Sequence, residues 1–289
     1  MLVIFTDTDT DITPSEAKEY GYRLISMPYS IDGVTTYPYV DFETFDAHAF
    51  YEKLRGGVLP TTSAISVEQY RQYFEPVFAE GDDILYVHFS RAMTATFDAM
   101  DEAVAALKGK YPERSFYEID TKGITLGSLN IVKEVGDMYQ AGKTVDEILD
   151  WAKEEVDKFA VYFFVDDLKF FRHSGRVSGI AGTMGTLLGI RPIIHMNSEG
   201  KMVSVGKEKG RAKAMDRLVG VVEELGDHVT DHRVIVGHSD MEDVADEVIE
   251  ALKERYGRDM RIEKALVNPT AGSHCGPNGV GVSFHAIHR

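Results

Sequence analysis

Short apolar runs alternate along this chain with longer stretches in which apolar residues recur every three or four positions, the pattern of buried strands joined by crossover helices. In the first half, Leu2–Thr6, Ile84–Phe89 and Ser115–Asp120 read as buried strands, while Ser66–Phe78, Ala95–Lys108, Thr125–Ala141 and Val145–Lys158 carry helical spacing. Two helix starts carry capping boxes. Ser66-Val67-Glu68-Gln69 and Thr144-Val145-Asp146-Glu147 each place a hydroxyl three residues ahead of a side chain that can return a hydrogen bond. Tyr22–Ser30 and Thr35–Tyr39 flank Asp32-Gly33 and read as a hairpin off the main sheet.

From Ala160 the texture changes. A strand, Ala160–Val165, precedes a glycine-punctuated stretch through Leu188; Ile190–Met196 and Lys201–Val205 then form a hairpin around Glu199-Gly200. Gly210–Leu225 and Met241–Tyr256 read as helices, and Arg233–His238, Arg261–Asn268 and Val280–His285 as strands, for which mixed pairing suits better than a purely parallel sheet. The pattern predicts an α/β protein of two domains, residues 1–158 with a parallel sheet and a small hairpin insertion around 22–40, and residues 159–289 with a mixed sheet. No internal repeat or low-complexity tract interrupts it.

Composition narrows the class. With 289 residues, 44% of them hydrophobic, the chain has the material for packed cores, which argues against intrinsic disorder. A formal charge of −16 repels phosphate backbones and anionic membranes, so nucleic acid is excluded as a partner and any anionic ligand needs a local site. No apolar run approaches the ~18 residues that cross a bilayer, and the apolar strand at Leu2 has no basic region ahead of it, so a cytoplasmic protein without membrane insertion is expected. The single cysteine, Cys275, can form neither an internal disulfide nor a thiolate metal cage.

Several motifs fail when tested. Asp7-Thr8-Asp9-Thr10-Asp11 begins like a calcium loop, but position six is Ile12 where glycine is needed and position twelve is Lys18 where glutamate is needed. Gly142-Lys143-Thr144 ends like a phosphate-binding loop, yet Asp137 stands where the earlier glycine belongs. One enzyme pattern survives: strand ends at Asp7-Thr8-Asp9, Ser90 and Asp166-Asp167 resemble a magnesium-dependent aspartyl-nucleophile phosphatase. Asp7 would attack phosphorus, Asp9 would act as acid and base, and Asp166 or Asp167 would hold the metal.

Four further segments combine hydroxyls, small residues and a few cations. Thr61-Thr62-Ser63 precedes the capped helix at Ser66, and Ser90-Arg91-Ala92-Met93-Thr94-Ala95-Thr96 links a strand to a helix. Both feed helix N-termini, where free N–H groups favour an anion, although such hydroxyls also serve simply as caps. Arg172-His173-Ser174-Gly175-Arg176-Val177-Ser178 leads into Gly179, Gly182, Gly185 and Gly189 interleaved with apolar residues, offering charged donors beside room for an apolar ligand, or else close helix packing. Gly272-Ser273-His274-Cys275-Gly276-Pro277-Asn278-Gly279 is dense in turn formers, which predicts that His274 sits on a tight, exposed loop and titrates near neutral pH. His88, His195 and His238 are assigned no role.

At these positions the chain resembles the DegV family of bacterial fatty-acid-binding proteins along essentially its whole length. The family pattern Asp-Ser-Thr-x-Asp-Leu corresponds to Asp7-Thr8-Asp9-Thr10-Asp11-Ile12, and Thr-Ser-Gln-Pro-Ser to Thr62-Ser63-Ala64-Ile65-Ser66. The Ser-Ser-x-Leu-Ser-Gly-Thr loop corresponds to residues 90–96, Gly-Gly-Arg-Ile-Ser to 174–178, Gly-Arg-Lys-Lys-Ala to 210–214, and His-x-Gly-Pro-Gly to 274–278.

The resemblance implies an N-terminal three-layer α/β/α domain and a C-terminal two-layer domain, with a long-chain fatty acid in a tunnel between them. It places the carboxylate at Thr62 and Thr94, with Ser63, Ser90, Arg91 and His274 around it, and Arg176 and Arg211 near phosphoryl chemistry or a kinase contact. It implies no catalytic residue, metal or cofactor, and a separate ATP-dependent fatty acid kinase as partner. Arg91 in place of a serine, Ala64-Ile65 in place of Gln-Pro, Thr94 in place of a serine and Asn278 in place of a glycine are departures from that pattern. A regulatory subunit that docks a partner without ligand is the third reading, beside the binding protein and the phosphatase.

Overall fold

The computed structural model describes residues 1–40, 45–178 and 189–289. In chain order its elements are β1 (Leu2–Asp7), α1 (Pro14–Tyr20), β2 (Arg23–Ile25), β3 (Tyr29–Ile31), β4 (Val34–Thr36), α2 (Ala47–Arg55), β5 (Thr61–Thr62), α3 (Val67–Ala79), β6 (Asp83–His88), α4 (Thr96–Lys110), β7 (Phe116–Asp120), α5 (Leu126–Gln140), α6 (Val145–Glu155) and β8 (Phe159–Val165). There follow α7 (Lys169–Ser174), β9 (Val177–Ser178), β10 (Ile190–Met196), β11 (Met202–Lys209), α8 (Arg211–Leu225), β12 (Val234–His238), α9 (Glu242–Tyr256), β13 (Ile262–Leu266), α10 (Pro269–Cys275) and β14 (Gly279–His285).

The first sheet is parallel, in the order β2-β1-β6-β7. From β1 the chain steps one way through α1 to β2, and from β6 the other way through α4 to β7. Right-handed crossovers therefore put α1 and α4 on opposite faces, giving three layers. The order reverses between β1 and β6, and a crevice opens where the loops beyond those two strand ends part. Both capping boxes form: Ser66 accepts from the Gln69 N–H and Thr144 from the Glu147 N–H, with each partner side chain returning the bond.

The second sheet is mixed, in the order β13-β12-β14-β8-β10-β11-β9, with β8 antiparallel to both β14 and β10. Period-two alternation divides its faces. Ala160, Tyr162 and Phe164 pack with Leu218, Val222, Val244 and Val248 of α8 and α9, whereas Val161 and Val165 turn to the core shared with the parallel sheet. Helix α5 lies between the two sheets, touching β6 on one side and β8, β12 and β14 on the other. That position explains why Leu126–Lys133 is buried at every residue, where an ordinary surface helix would bury one stripe. At Gly127 an added Cβ would run into Val161, so the close approach of α5 to β8 requires glycine there.

The far end of α5 is tied by charge. Arg233, fully buried, donates to Glu263 (2.8 Å), Glu134 (3.0 Å) and Asp137 (2.7 Å), and Lys133 bridges Glu16 (2.7 Å) and Glu263 (2.5 Å). Burying a guanidinium is tolerable only with such full pairing.

The structure departs from the sequence reading in three places. Tyr22–Ser30 is not one arm of a hairpin: Arg23–Ile25 pairs in parallel with β1 inside the main sheet, and only β3 and β4 form the hairpin around Asp32-Gly33. The Lys201–Val205 strand runs on to Lys209, because its alternation dissolves into charges beyond Val205 while its backbone keeps pairing with β10. Residues 269–275 form a helix capped by Asn268, so His274 stands on α10 and not on an exposed loop. The glycine-rich run from Gly179 to Leu188 lies outside the described residues.

Candidate functional site

A cavity opens at the crevice between the ends of β1 and β6 and continues over the face of the mixed sheet. Its walls come from the loop after β6 (Phe89, Met93), the start of α5 (Leu126), strand β8 (Val161, Phe163) and α10 (Ala271). Its volume is about 230 Å³. At ~10–15 Å³ per water-sized group, that is room for on the order of 15–20 such groups. The lining is largely aliphatic and aromatic, which suits a long apolar ligand.

Polar groups border this space where β5, α10 and the segment after β6 come together. Thr62, on a two-residue strand paired with β3, has its Oγ1 2.8 Å from His274 Nε2. His274 is held well below the ordinary imidazole range, at about 4, first by burial and then by the electrostatic influence of Arg176 and His173. It is therefore neutral at pH 7, and its Nδ1 is buried without a hydrogen-bond partner. Thr94 Oγ1 accepts the Thr96 N–H at 3.1 Å, which leaves its own proton to donate. Ser63 and Arg176 also border the cavity, the Arg176 guanidinium resting on the Ser174 carbonyl at 2.8 Å.

Ser90 and Arg91, expected at the head group, and Arg211, expected near phosphoryl chemistry or a kinase contact, stand elsewhere. Ser90 Oγ donates to the Gly200 carbonyl (2.8 Å), tying the loop after β6 to the β10–β11 turn; Gly200, at φ +72°, has no room for a Cβ beside that hydroxyl. The Arg91 guanidinium bonds Asp101 (2.8 and 3.0 Å) and Glu118 (2.5 Å) and lies over the Phe97 ring, so acids on α4 and β7 consume the added cation. Arg211 faces Asp166 at 3.5 Å, beside Arg191. None of the three borders the cavity.

The carboxylates of the phosphatase reading are engaged separately. Asp7 is fully buried and accepts from the Asp9 N–H, the Tyr86 hydroxyl and the Phe89 N–H, bonds that anchor it within the fold. Asp166 is engaged with Arg191 and Arg211. Among the described residues, the metal-capable cluster is His48, Glu52 and Asp240, which includes none of them and has Arg55 on both Glu52 and Asp240.

Sequence reasoning missed the cavity floor. Gly237 in β12 and Gly281 in β14 are closely approached: a Cβ on Gly237 would meet Leu126 at 3.2 Å, and one on Gly281 would meet Phe163 Cβ at 2.7 Å. Glycine inside an otherwise β-branched strand is the available signal of such close approach.

Comparison with known proteins follows the same outline. Residues 1–286 match the family model described as "Uncharacterised protein, DegV family". A DegV domain-containing protein of Clostridium perfringens is 31% identical over 283 residues, 98% of this chain and 96% of that one. Among solved structures, a stearic-acid-binding protein from Eubacterium ventriosum superposes with TM-score 0.87 at 18% identity, covering 99% of this chain and 98% of that one. A DegV protein from Thermus thermophilus, described by its fatty acid binding, superposes with TM-score 0.86 at 21% identity, covering 99% of each. At these identities the superpositions establish a shared fold.

Proposed function

Because the chain belongs to the DegV family, we propose that it is a non-catalytic carrier that binds a long-chain fatty acid in the cavity between its two sheets. The observation that carries this reading is the combination of an apolar cavity of about 230 Å³ with hydroxyls of Thr62 and Thr94 at its border. The carboxylate takes hydrogen bonds from Thr62 and Thr94, with Ser63 and Arg176 nearby. His274 Nε2–H donates to Thr62 Oγ1, which turns the threonine proton toward the ligand; that tautomer leaves Nδ1 bare, in keeping with its lack of a partner. Each buried CH₂ contributes about 0.8 kcal/mol and each hydroxyl bond about 0.5–1.5 kcal/mol, so the chain supplies affinity and the head group supplies orientation.

We place the division between the domains near residue 158, the protein in the cytoplasm, and a separate ATP-dependent kinase as the acceptor of the presented carboxylate for acyl phosphate formation. No helix among the described residues is long and apolar enough to cross a membrane, in keeping with that placement. Denaturing extraction of the purified protein, followed by mass spectrometry, tests the reading. A co-purifying long-chain acid and a thermal shift on adding palmitate or oleate are expected; absence of both overturns it.

A further inference from the structure

The turn from Asp7 to Asp11 is a short 3-10 helix whose polar side chains are largely spent on the protein. Asp7 accepts three hydrogen bonds; Thr8 Oγ1 accepts the Met27 N–H (2.9 Å); Thr10 Oγ1 donates to the Asp7 carbonyl (2.7 Å). Asp11 Oδ1 accepts both the Asn268 N–H (2.8 Å) and its side-chain amide (2.7 Å), while its Oδ2, buried without a partner, belongs to a residue that does not border the cavity. Asp9 differs. It is 6% exposed, it borders the cavity, and its Oδ1 is shut away without a hydrogen-bond partner. The Thr125 N–H pins its backbone carbonyl at 2.7 Å, which holds the residue at the cavity wall that Phe89 and Leu126 also line.

A buried carboxyl without a partner is destabilising, and a ligand that brings the missing partner recovers that loss on binding. We propose that Asp9 is a second polar anchor of the cavity, selecting a long-chain fatty acid that carries a hydroxyl along its chain over the unsubstituted acid. This rests on the fatty-acid reading above. Burial alone lifts the Asp9 carboxyl to about 7, so both protonation states are accessible near neutral pH. A hydroxyl pairs with either one, accepting from the acid or donating to the carboxylate. An ammonium would pair with the ionised form alone and would be desolvated against Met27, Phe89 and Leu126.

The test uses the full chain stripped of lipid, with a fluorescent fatty acid displaced by stearic acid or by stearic acids carrying one hydroxyl at the third, tenth or twelfth carbon. At least one hydroxylated acid is expected to bind about tenfold more tightly than stearic acid, a difference of about 1.4 kcal/mol. In Asp9→Ala and Asp9→Leu the ratio should fall to about one. Asp9→Asn, isosteric and still able to hydrogen-bond, should keep part of it and secures the test if the larger changes do not fold. If stearic acid binds but no hydroxylated acid binds more tightly, or if the preference survives Asp9→Ala, the role of Asp9 is overturned while the fatty-acid reading stands. If no acid binds at all, both fall.

Discussion

His274 makes a quantitative demand on how stability varies with pH. Burial, assisted by Arg176 and His173, holds its folded pKa at about 4 against an ordinary value of 6.5. Between those values the unfolded chain binds a proton that the folded chain refuses, so this residue's contribution to stability is complete above pH 6.5 and is lost as pH falls toward 4. At ~1.36 kcal/mol per pKa unit the full loss is about 3 kcal/mol, and at pH 5 about 2 kcal/mol of it has gone. Carboxylates titrate in the same range, so the measurement is a difference. Urea unfolding of lipid-free wild type and His274→Gln is followed at pH 8 and pH 5. The wild type should lose about 2 kcal/mol more than the variant between the two conditions. Parallel curves would refute the claim that the imidazole is buried neutral. Adding a fatty acid should shrink the difference, because a carboxylate beside the ring favours its protonated form.

Thr62→Val removes the hydroxyl at nearly constant volume and should weaken fatty-acid binding about tenfold at most, from a bond worth about 0.5–1.5 kcal/mol, while Thr62→Ser keeps affinity; calorimetric titration measures both. Arg91→Ala should leave affinity within about twofold, because its guanidinium is held by Asp101 and Glu118 outside the cavity, and a larger loss in the same titration would contradict that placement. Asp7→Asn should lower stability by about 1–3 kcal/mol in urea unfolding, since an amide cannot accept from all three of its donors. Magnesium-dependent turnover of a generic phosphate ester should be absent from wild type and variant alike.

The fold was legible wherever periodicity and caps agreed. The capping boxes at Ser66 and Thr144 started α3 and α6 within a residue of their observed ends, and the buried strands β1, β6, β8 and β14 were found from apolar runs. What escaped depends on long-range pairing or on short elements. Nothing local distinguishes Arg23–Ile25, a parallel edge strand, from the arm of a hairpin, since both are short and alternate; the partner that decides it is β1, far away in the chain. The α10 error has the same root. Gly272, Gly276 and Pro277 read as a loop, but Asn268 caps a short helix whose burial against α2 and α7 is invisible in sequence. Thr62, Thr94 and His274, singled out from the sequence, border the cavity, whereas Arg91 does not, because its partners Asp101 and Glu118 come from other elements.

The proposed function requires an acidic protein to hold an acid. With a net charge of −16 the global field opposes a carboxylate, and the expected remedy is a cluster of cations. The structure takes another course: His274 is neutral, Arg91 and Arg211 are consumed by acids, and Arg176 is the cation that borders the cavity among the described residues. A carboxylate met chiefly by threonine hydroxyls keeps more of its electron density than one clamped in a bidentate guanidinium pair. That is the state a nucleophilic oxygen needs if a kinase is to phosphorylate it. Neutral recognition at the head group, with affinity drawn from the acyl chain, is what the proposed carrier would need in order to present its ligand to a kinase and then release it.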